Sequence, residues 1–253
     1  MMNIDKDEKI ILWTGGWDST FRILSTLLTQ DGPNIRPLYL LDTSRASTIN
    51  ELETIHKIKK QIFKKGKYYS DKLKPMLIID SSDIPEISEI REAYCKIRQT
   101  NWLGSQYVQL AELINHFKLT YPEISIEADV TGLKFLHAFL RSNVTTYNGM
   151  KILSSPMQDN ISKSYCEIFK YFSFPLIFKS KLDMHQESLS FGISEELQMS
   201  WFCHTPRRGQ PCGLCGPCQD IVKADMAWRL PFLSRLICKT KRNLNKMKEK
   251  LNL

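Results

Sequence analysis

The chain has 253 residues, 42% of them apolar and 25% charged, with only 11 glycines and 11 prolines. This excludes a disulfide-stapled miniprotein, a disordered tail and a linker-rich or collagen-like chain, and predicts a globular protein of one or two domains. The 35 Lys and Arg against 27 Asp and Glu give a net charge of +8, which favours anionic partners such as nucleotides, nucleic acid or acidic protein surfaces without choosing among them.

Residues 9–13 form a short apolar run with β-branched members, followed by Thr14-Gly15-Gly16-Trp17-Asp18-Ser19-Thr20 and then by Phe21, Ile23, Leu24, Leu27 and Leu28 at helical spacing. The pattern predicts strand, glycine loop, helix. Two successive glycines let the backbone turn tightly and aim N–H groups at an anion, and the helix behind them adds its positive end. A purely structural turn is the alternative. The string matches neither the Walker pattern nor the three-glycine dinucleotide fingerprint.

A second strand is predicted over residues 37–41, ending at Asp42, and a helix over about 47–65 with Leu52, Ile55, Ile58 and Ile62 on one face. A third strand fits residues 76–79, ending at Asp80; a polar loop, a long helix through Tyr107, Leu110, Leu113, Ile114 and Phe117, and a fourth strand around 124–130 follow. Short strands at 150–153 and 174–178 are expected, then a helix over 236–253 with Leu244, Met247 and Leu251 on one side. Strands alternating with helices predict an α/β fold with a doubly wound, mostly parallel sheet. Ligands of such sheets bind beyond the carboxyl ends of the strands, where the glycine loop, Asp42, Asp80 and Asp129 all fall.

Of seven cysteines, Cys203, Cys212, Cys215 and Cys218 stand in a Cys-x8-Cys-x2-Cys-x2-Cys array with Gly213 and Gly216 inside the turns. Four thiolates suit tetrahedral Zn²⁺ in a closed, structural site, with an iron–sulfur cluster or free thiols as rivals. His204 adjoins the array but is read as a wall or surface residue, and Cys95, Cys166 and Cys238 as small buried hydrophobes. The lysine-rich runs at 57–74 and 239–250 read as solvated faces or as anion-binding surfaces. No run reaches the roughly 18 apolar residues of a membrane span, and the acidic start does not fit a signal peptide, so the expected location is the cytoplasm. The expected division is an α/β domain over 1–180 and a helical, four-cysteine region over 181–253.

Thr14-Gly15-Gly16-Trp17-Asp18-Ser19 resembles the Ser-Gly-Gly-x-Asp-Ser loop of the PP-loop ATP pyrophosphatases. That resemblance implies cleavage of ATP to AMP and pyrophosphate, with Thr14, Gly15, Gly16, Ser19 and Thr20 on the pyrophosphate and Asp18 on magnesium or in loop geometry. Joined to the cysteines, it resembles the 7-cyano-7-deazaguanine synthase family. Ser200-Trp201-Phe202-Cys203 is similar to that family's Thr-Trp-Ser-Cys, and Cys212-Gly213-Leu214-Cys215-Gly216-Pro217-Cys218 to its Cys-Gly-x-Cys-x-x-Cys ending. Phe174-Pro175-Leu176-Ile177-Phe178-Lys179-Ser180-Lys181 resembles the Pro-Leu segment before the family's Thr-Lys helix start, which makes Lys181 a candidate catalytic contact beside Asp18.

Asp42 and Arg45 sit where the family has an Asp-Tyr-Gly-Gln turn, Asn101 where it has Pro-x-Arg-Asn, and Asp129 near its Tyr-Pro-Asp-Cys-Arg element. The resemblance thus implies a nucleotide contact at Asp42 and substrate contacts at Arg45, Asn101 and Asp129. It further implies ATP, Mg²⁺ and Zn²⁺ as cofactors, a 7-deazaguanine carboxylate as substrate, ammonia as the amine, an amide or nitrile as product, and a homodimer. Two alternatives stand beside it: a ligase that joins the activated base to another amine, such as that of a protein, and a zinc-bearing nucleic-acid-binding protein with a degenerate loop.

Overall fold

The computed structural model describes residues 5, 7–29, 32–128, 134–154 and 159–250. Its first half runs β1 (Glu8–Leu12), α1 (Trp17–Leu27), β2 (Asn34–Leu41), α2 (Thr48–Lys64), α3 (Lys67–Lys72), β3 (Leu77–Asp80), α4 (Ser88–Arg98) and α5 (Gln106–Phe117). The second half runs α6 (Lys134–Asn143), β4 (Val144–Tyr147), β5 (Met150–Leu153), α7 (Asn160–Phe169), α8 (Lys181–Ser190), α9 (Ser194–Gln198), α10 (Gly216–Lys223) and α11 (Phe232–Lys250). The protein is mixed α/β: β1, β2 and β3 pair in parallel in that order, and β4 and β5 form an antiparallel pair.

Side-chain alternation along the strands sends neighbouring residues to opposite faces of this sheet. Ile10, Leu12 and Leu38 join one apolar layer with Ile90, Ile97, Val108, Leu113 and Phe169 from α4, α5 and α7. Ile11, Trp13, Ile35 and Tyr39 join the other, with Phe21, Ile55 and Ile58 from α1 and α2. Met184, Ile193, Leu197, Cys203, Cys218 and Ile221 belong to that second layer too, so residues on both sides of position 180 share it.

Among the described residues the sheet continues beyond β1 only through single bridges, Ile11 to Glu123 and Glu123 to Ser173 in parallel and Ser173 to Ile152 antiparallel. The strand expected over 124–130 is therefore not formed in its described part, 124–128. The Ile126 amide turns back onto the Ile124 carbonyl at 3.1 Å and the Ala128 amide goes to the Lys179 carbonyl at 2.9 Å, which takes both donors out of a ladder. The strand expected over 174–178 is also absent: Pro175 has no N–H, and the Ile177 and Lys179 amides close turns onto Phe174 and Leu176. One charged cluster pins this seam. Glu123 accepts from Arg22 Nε and Nη2 at 2.6 and 2.8 Å, with Lys9 Nζ 3.0 Å away. Burial alone would raise the Glu123 carboxyl, but Arg22 and Lys9 outweigh it and hold it below the usual range.

The polar stretch expected to be a loop before α5 contains α4, which buries Ile90, Ala93 and Ile97 at helical spacing. β4, over the uncharged Val144–Tyr147, was likewise not expected. Cys95 is exposed and Cys166 half-buried, against the expectation of small buried hydrophobes; Cys238 alone of the three is buried. Asp129, Val130, Leu251 and the side chains of Leu244 and Met247 lie outside the described residues. Among the described residues no helix is long and apolar enough to cross a membrane.

Candidate active site and metal centre

The glycine turn leaves β1 at its carboxyl end. Gly15 takes φ +71°, in the left-handed region, and a Cβ there would meet the Glu51 carbonyl of α2 at 3.1 Å. Gly16 is the N-cap of α1 and has no side chain to accept from the first-turn amides. The Thr20 amide closes the first helical bond onto the Gly16 carbonyl at 3.0 Å. Thr20 is fully buried and its hydroxyl accepts from the Trp13 indole at 3.0 Å, while the Ser19 hydroxyl donates to the Gly16 carbonyl at 3.4 Å.

Lys181 is the first residue of α8, a helix whose start is fixed by a capping box: Ser180 Oγ accepts from the Asp183 amide, and Asp183 accepts from the Ser180 amide. From there Lys181 Nζ reaches Asp18 Oδ1 at 3.0 Å and Glu127 Oε1 at 2.9 Å. The Ala128–Lys179 backbone bond holds the Glu127 segment beside the start of α8. Burial alone would lower the Lys181 ammonium, but Asp18 and Glu127 raise it above its usual range. A permanently charged ammonium there stabilises negative charge and is no nucleophile.

Thr14, Gly16, Trp17, Asp18 and Lys181 all face one cavity of about 560 Å³. Arg45 and Glu51 lie on its wall and are paired with each other, and Glu51 also accepts from Ser47 Oγ at 2.7 Å and Tyr39 OH at 2.9 Å. Tyr107 faces the same space with its hydroxyl pushed up to about 12 by burial, so it stays protonated. A run of ring contacts adjoins Trp17 of the loop. Trp228 and His185 lie 5.6 Å apart, His185 and Trp17 6.1 Å, and the Arg229 guanidinium sits 4.5 Å from the Trp17 ring and 4.9 Å from that of Phe202.

The thiols of Cys203, Cys212, Cys215 and Cys218 lie within 4.8 Å of one another and could hold a metal ion such as zinc. The Cys215–Cys203 and Cys212–Cys218 sulfur separations of 3.8 and 4.0 Å fit the edges of a tetrahedron with Zn–S near 2.3 Å. Amides of Leu214 and Cys215 donate to Cys212 Sγ, each at 3.3 Å, and the Cys212 amide donates to Cys203 Sγ at 3.2 Å. Such donors stabilise thiolates, and the hydrogen bond between Cys215 and Cys218 holds the Cys215 thiol well below its usual range while pushing that of Cys218 above its own. The centre is tied to the glycine loop, since the Trp201 amide donates to the Gly15 carbonyl at 2.8 Å and the Trp201 indole to the Cys203 carbonyl at 2.7 Å.

Of the residues singled out by sequence, Thr14, Gly16, Asp18, Arg45 and Lys181 meet at the cavity, and His204 stands on its wall. Gly15, Ser19 and Thr20 lie behind it in the loop and the first turn of α1. Asp42 accepts from the Ser44 amide and hydroxyl and Asp80 from those of Ser82, while Asn101 donates to Thr100 Oγ1; none of these three lines the cavity. Asp129 is outside the described residues. Sequence reasoning missed Glu127, Tyr107 and Arg229, which carry no motif and no local spacing signal. No family model matches the chain, and no curated protein matches it.

Proposed function

We propose that the chain is an ATP-dependent, AMP- and pyrophosphate-forming ligase of the PP-loop type that activates the carboxylate of 7-carboxy-7-deazaguanine. The observation that carries this reading is the clustering, at one cavity, of an uncapped helix start behind two glycines with a charged Lys181 held between Asp18 and Glu127. Open amides at a helix start favour phosphate oxygens. A seam at β1, with β2 and β3 on one side and the Glu123 and Ser173 bridges on the other, supports the doubly wound reading, in which ligands bind where strand order reverses.

In the proposed reaction a carboxylate oxygen attacks the α-phosphorus of ATP. The bond from that phosphorus to the bridging oxygen breaks, and pyrophosphate leaves with the electron pair. The mixed anhydride now carries AMP as a leaving group; ammonia attacks its acyl carbon, AMP departs and a proton is lost, giving the amide. The amide oxygen then attacks the α-phosphorus of a second ATP, pyrophosphate leaves again, and departure of AMP with loss of both protons from the nitrogen yields the nitrile. Loop amides and Lys181 stabilise charge that grows on phosphate, and no step needs a nucleophilic side chain. Asp18, whose carboxylate faces the cavity, would hold Mg²⁺, which when bound neutralises phosphate charge. Zinc in the four-thiolate set has a structural role.

A second reading, in which the amine belongs to a protein or peptide, has its own support. Trp228 adjoins Arg229 at the cavity, and it is exposed together with Phe232, Leu233, Leu236 and Ile237, an apolar ridge of the kind that docks macromolecules. Mass spectrometry of products formed from ATP, Mg²⁺ and 7-carboxy-7-deazaguanine, with and without ammonium, separates the two. Free amide or nitrile with AMP supports the first; AMP with the base attached to protein supports the second. An Asp18→Ala protein abolishes product in both, and absence of AMP under every condition rejects both.

A further inference from the structure

Lys181 Nζ lies 3.0 and 3.2 Å from the two oxygens of Asp18 and 2.9 Å from Glu127 Oε1. The ammonium therefore faces both of the oxygens that a divalent ion at Asp18 would use. Magnesium is held through one or two carboxylates together with substrate phosphates. A dication and an ammonium on the same carboxylate repel each other, and the partial burial of Lys181 and Asp18 limits the screening that solvent supplies. Lys181 and a metal ion thus compete for Asp18.

The surroundings decide which cation can leave. The charge of Arg229 also acts on Asp18, but this guanidinium is fixed in place. Its Nη2 donates to the Ser200 carbonyl at 2.6 Å and to Ser200 Oγ at 2.7 Å, and the rings of Trp17 and Phe202 lie 4.5 and 4.9 Å from it. Lys181 has a backbone fixed by the capping box at the start of α8, yet its charge rides on a flexible four-carbon stem with three rotatable donors. Glu127, whose side chain is 2% exposed, keeps a carboxylate beside the ammonium when it lets go of Asp18. An incoming phosphate offers it a second anion.

We propose that Lys181 is the resident cation of Asp18 and excludes a divalent ion from that carboxylate until a nucleotide phosphate draws the ammonium away. This rests on the proposed ligase reading and deepens it by stating how the metal of that site is loaded. Free divalent ion then binds weakly at Asp18, while metal and nucleotide each strengthen the binding of the other, as linkage requires.

The test is titration of the full-length, zinc-loaded protein with Mn²⁺, a paramagnetic substitute for Mg²⁺, read by electron paramagnetic resonance, with zinc content and Tm as folding controls. Filled thiolates keep the oxygen-preferring Mn²⁺ out of the cysteine centre. Without nucleotide, K181M is expected to bind Mn²⁺ at least about tenfold more tightly than the wild type, and adding D18N to K181M to abolish the gain. K181R, which keeps the charge, and K223Q, which removes a different cation lining the cavity, should both stay within about threefold of the wild type. The factor by which Mn²⁺ raises the affinity for α,β-methylene-ATP, read by calorimetry, should be at least about fivefold smaller in K181M. Equal Mn²⁺ affinity in the wild type and K181M, or a gain that survives D18N, overturns the inference. If the wild type binds no nucleotide, the ligase reading fails, and the exclusion of metal stands or falls on the K181M comparison. Should K181M not fold, K181Q takes its place, and a wild type that binds Mn²⁺ alone as tightly as with nucleotide overturns the inference whatever the variants do.

Discussion

The two glycine turns, one at Gly15 beside the cavity and one at Gly213 among the cysteines, are built to opposite ends. At Gly15 the nearest atoms to an added Cβ are the Glu51 carbonyl at 3.1 Å and Ile55 Cγ1 at 3.2 Å, so small shifts could accommodate it. At Gly213, with φ +73°, a Cβ would fall 2.3 Å from the Ser234 carbonyl oxygen of α11, where there is no room at all. The first turn leaves its amides open to the cavity; the second closes on four thiols and a helix backbone. In the proposed reading this is a division of labour, one turn free to bind and the other closed to hold, and the Trp201 bonds to Gly15 and Cys203 couple them.

Breaking the closed turn has the largest expected effect. Cys212→Ser or removal of the metal by a chelator is expected to cost at least about 4 kcal/mol, which for a chain of this length lowers Tm by more than roughly 8 °C. Metal analysis and a thermal melt check both parts, and a Cys212→Ser protein that keeps stoichiometric metal and its Tm would refute the holding role. Gly213→Ala should behave the same way for steric reasons alone.

Lys181→Met tests the open end. AMP formation is expected to fall about 10²–10³-fold, with Lys181→Arg restoring part of it. An unchanged rate of AMP release in Lys181→Met removes the ammonium from the account. Glu123→Ala acts on neither turn but on the seam between sheet halves, and strands Arg22 and Lys9 without their carboxylate; a loss of about 2–3 kcal/mol is expected from denaturant titration. Because the Glu123 carboxyl is depressed in the folded state, its stabilisation is present above its ordinary value of 4.5 and is lost as pH falls through the lower folded value. Stability of the wild type should therefore decline more steeply below pH 4.5 than that of Glu123→Gln. Gly15→Ala, the smallest change in stability, is expected to cost about 1–2 kcal/mol for the left-handed backbone while weakening ATP binding through the displaced loop.

The same contrast explains what the sequence made legible. The glycine loop and the cysteine array are local: spacing within a few residues specifies turn, donors and ligands, and β1, β2, β3 and α2 follow from apolar periodicity near them. Glu127 and Arg229 are not local. Each reaches the cavity through contacts made far along the chain, Glu127 through the Ala128–Lys179 bond and Arg229 through Ser200 and two rings, and neither spacing nor residue type marks them. The strand expected after α5 failed because apolar, β-branched composition gives a tendency to extend but cannot supply a hydrogen-bonded neighbour, and here Pro175 and the turn after it withdraw one. α4 was hidden because Arg, Glu and Lys fill its outward face and only Ile90, Ala93 and Ile97 mark the inward one.

The most direct test of the central claim is exchange of labelled pyrophosphate into ATP by the zinc-loaded protein. The account predicts exchange that requires 7-carboxy-7-deazaguanine and Mg²⁺, persists without ammonium, and disappears in Lys181→Met. Absence of exchange together with release of ADP and phosphate, or no nucleotide turnover with any carboxylate supplied, would contradict it.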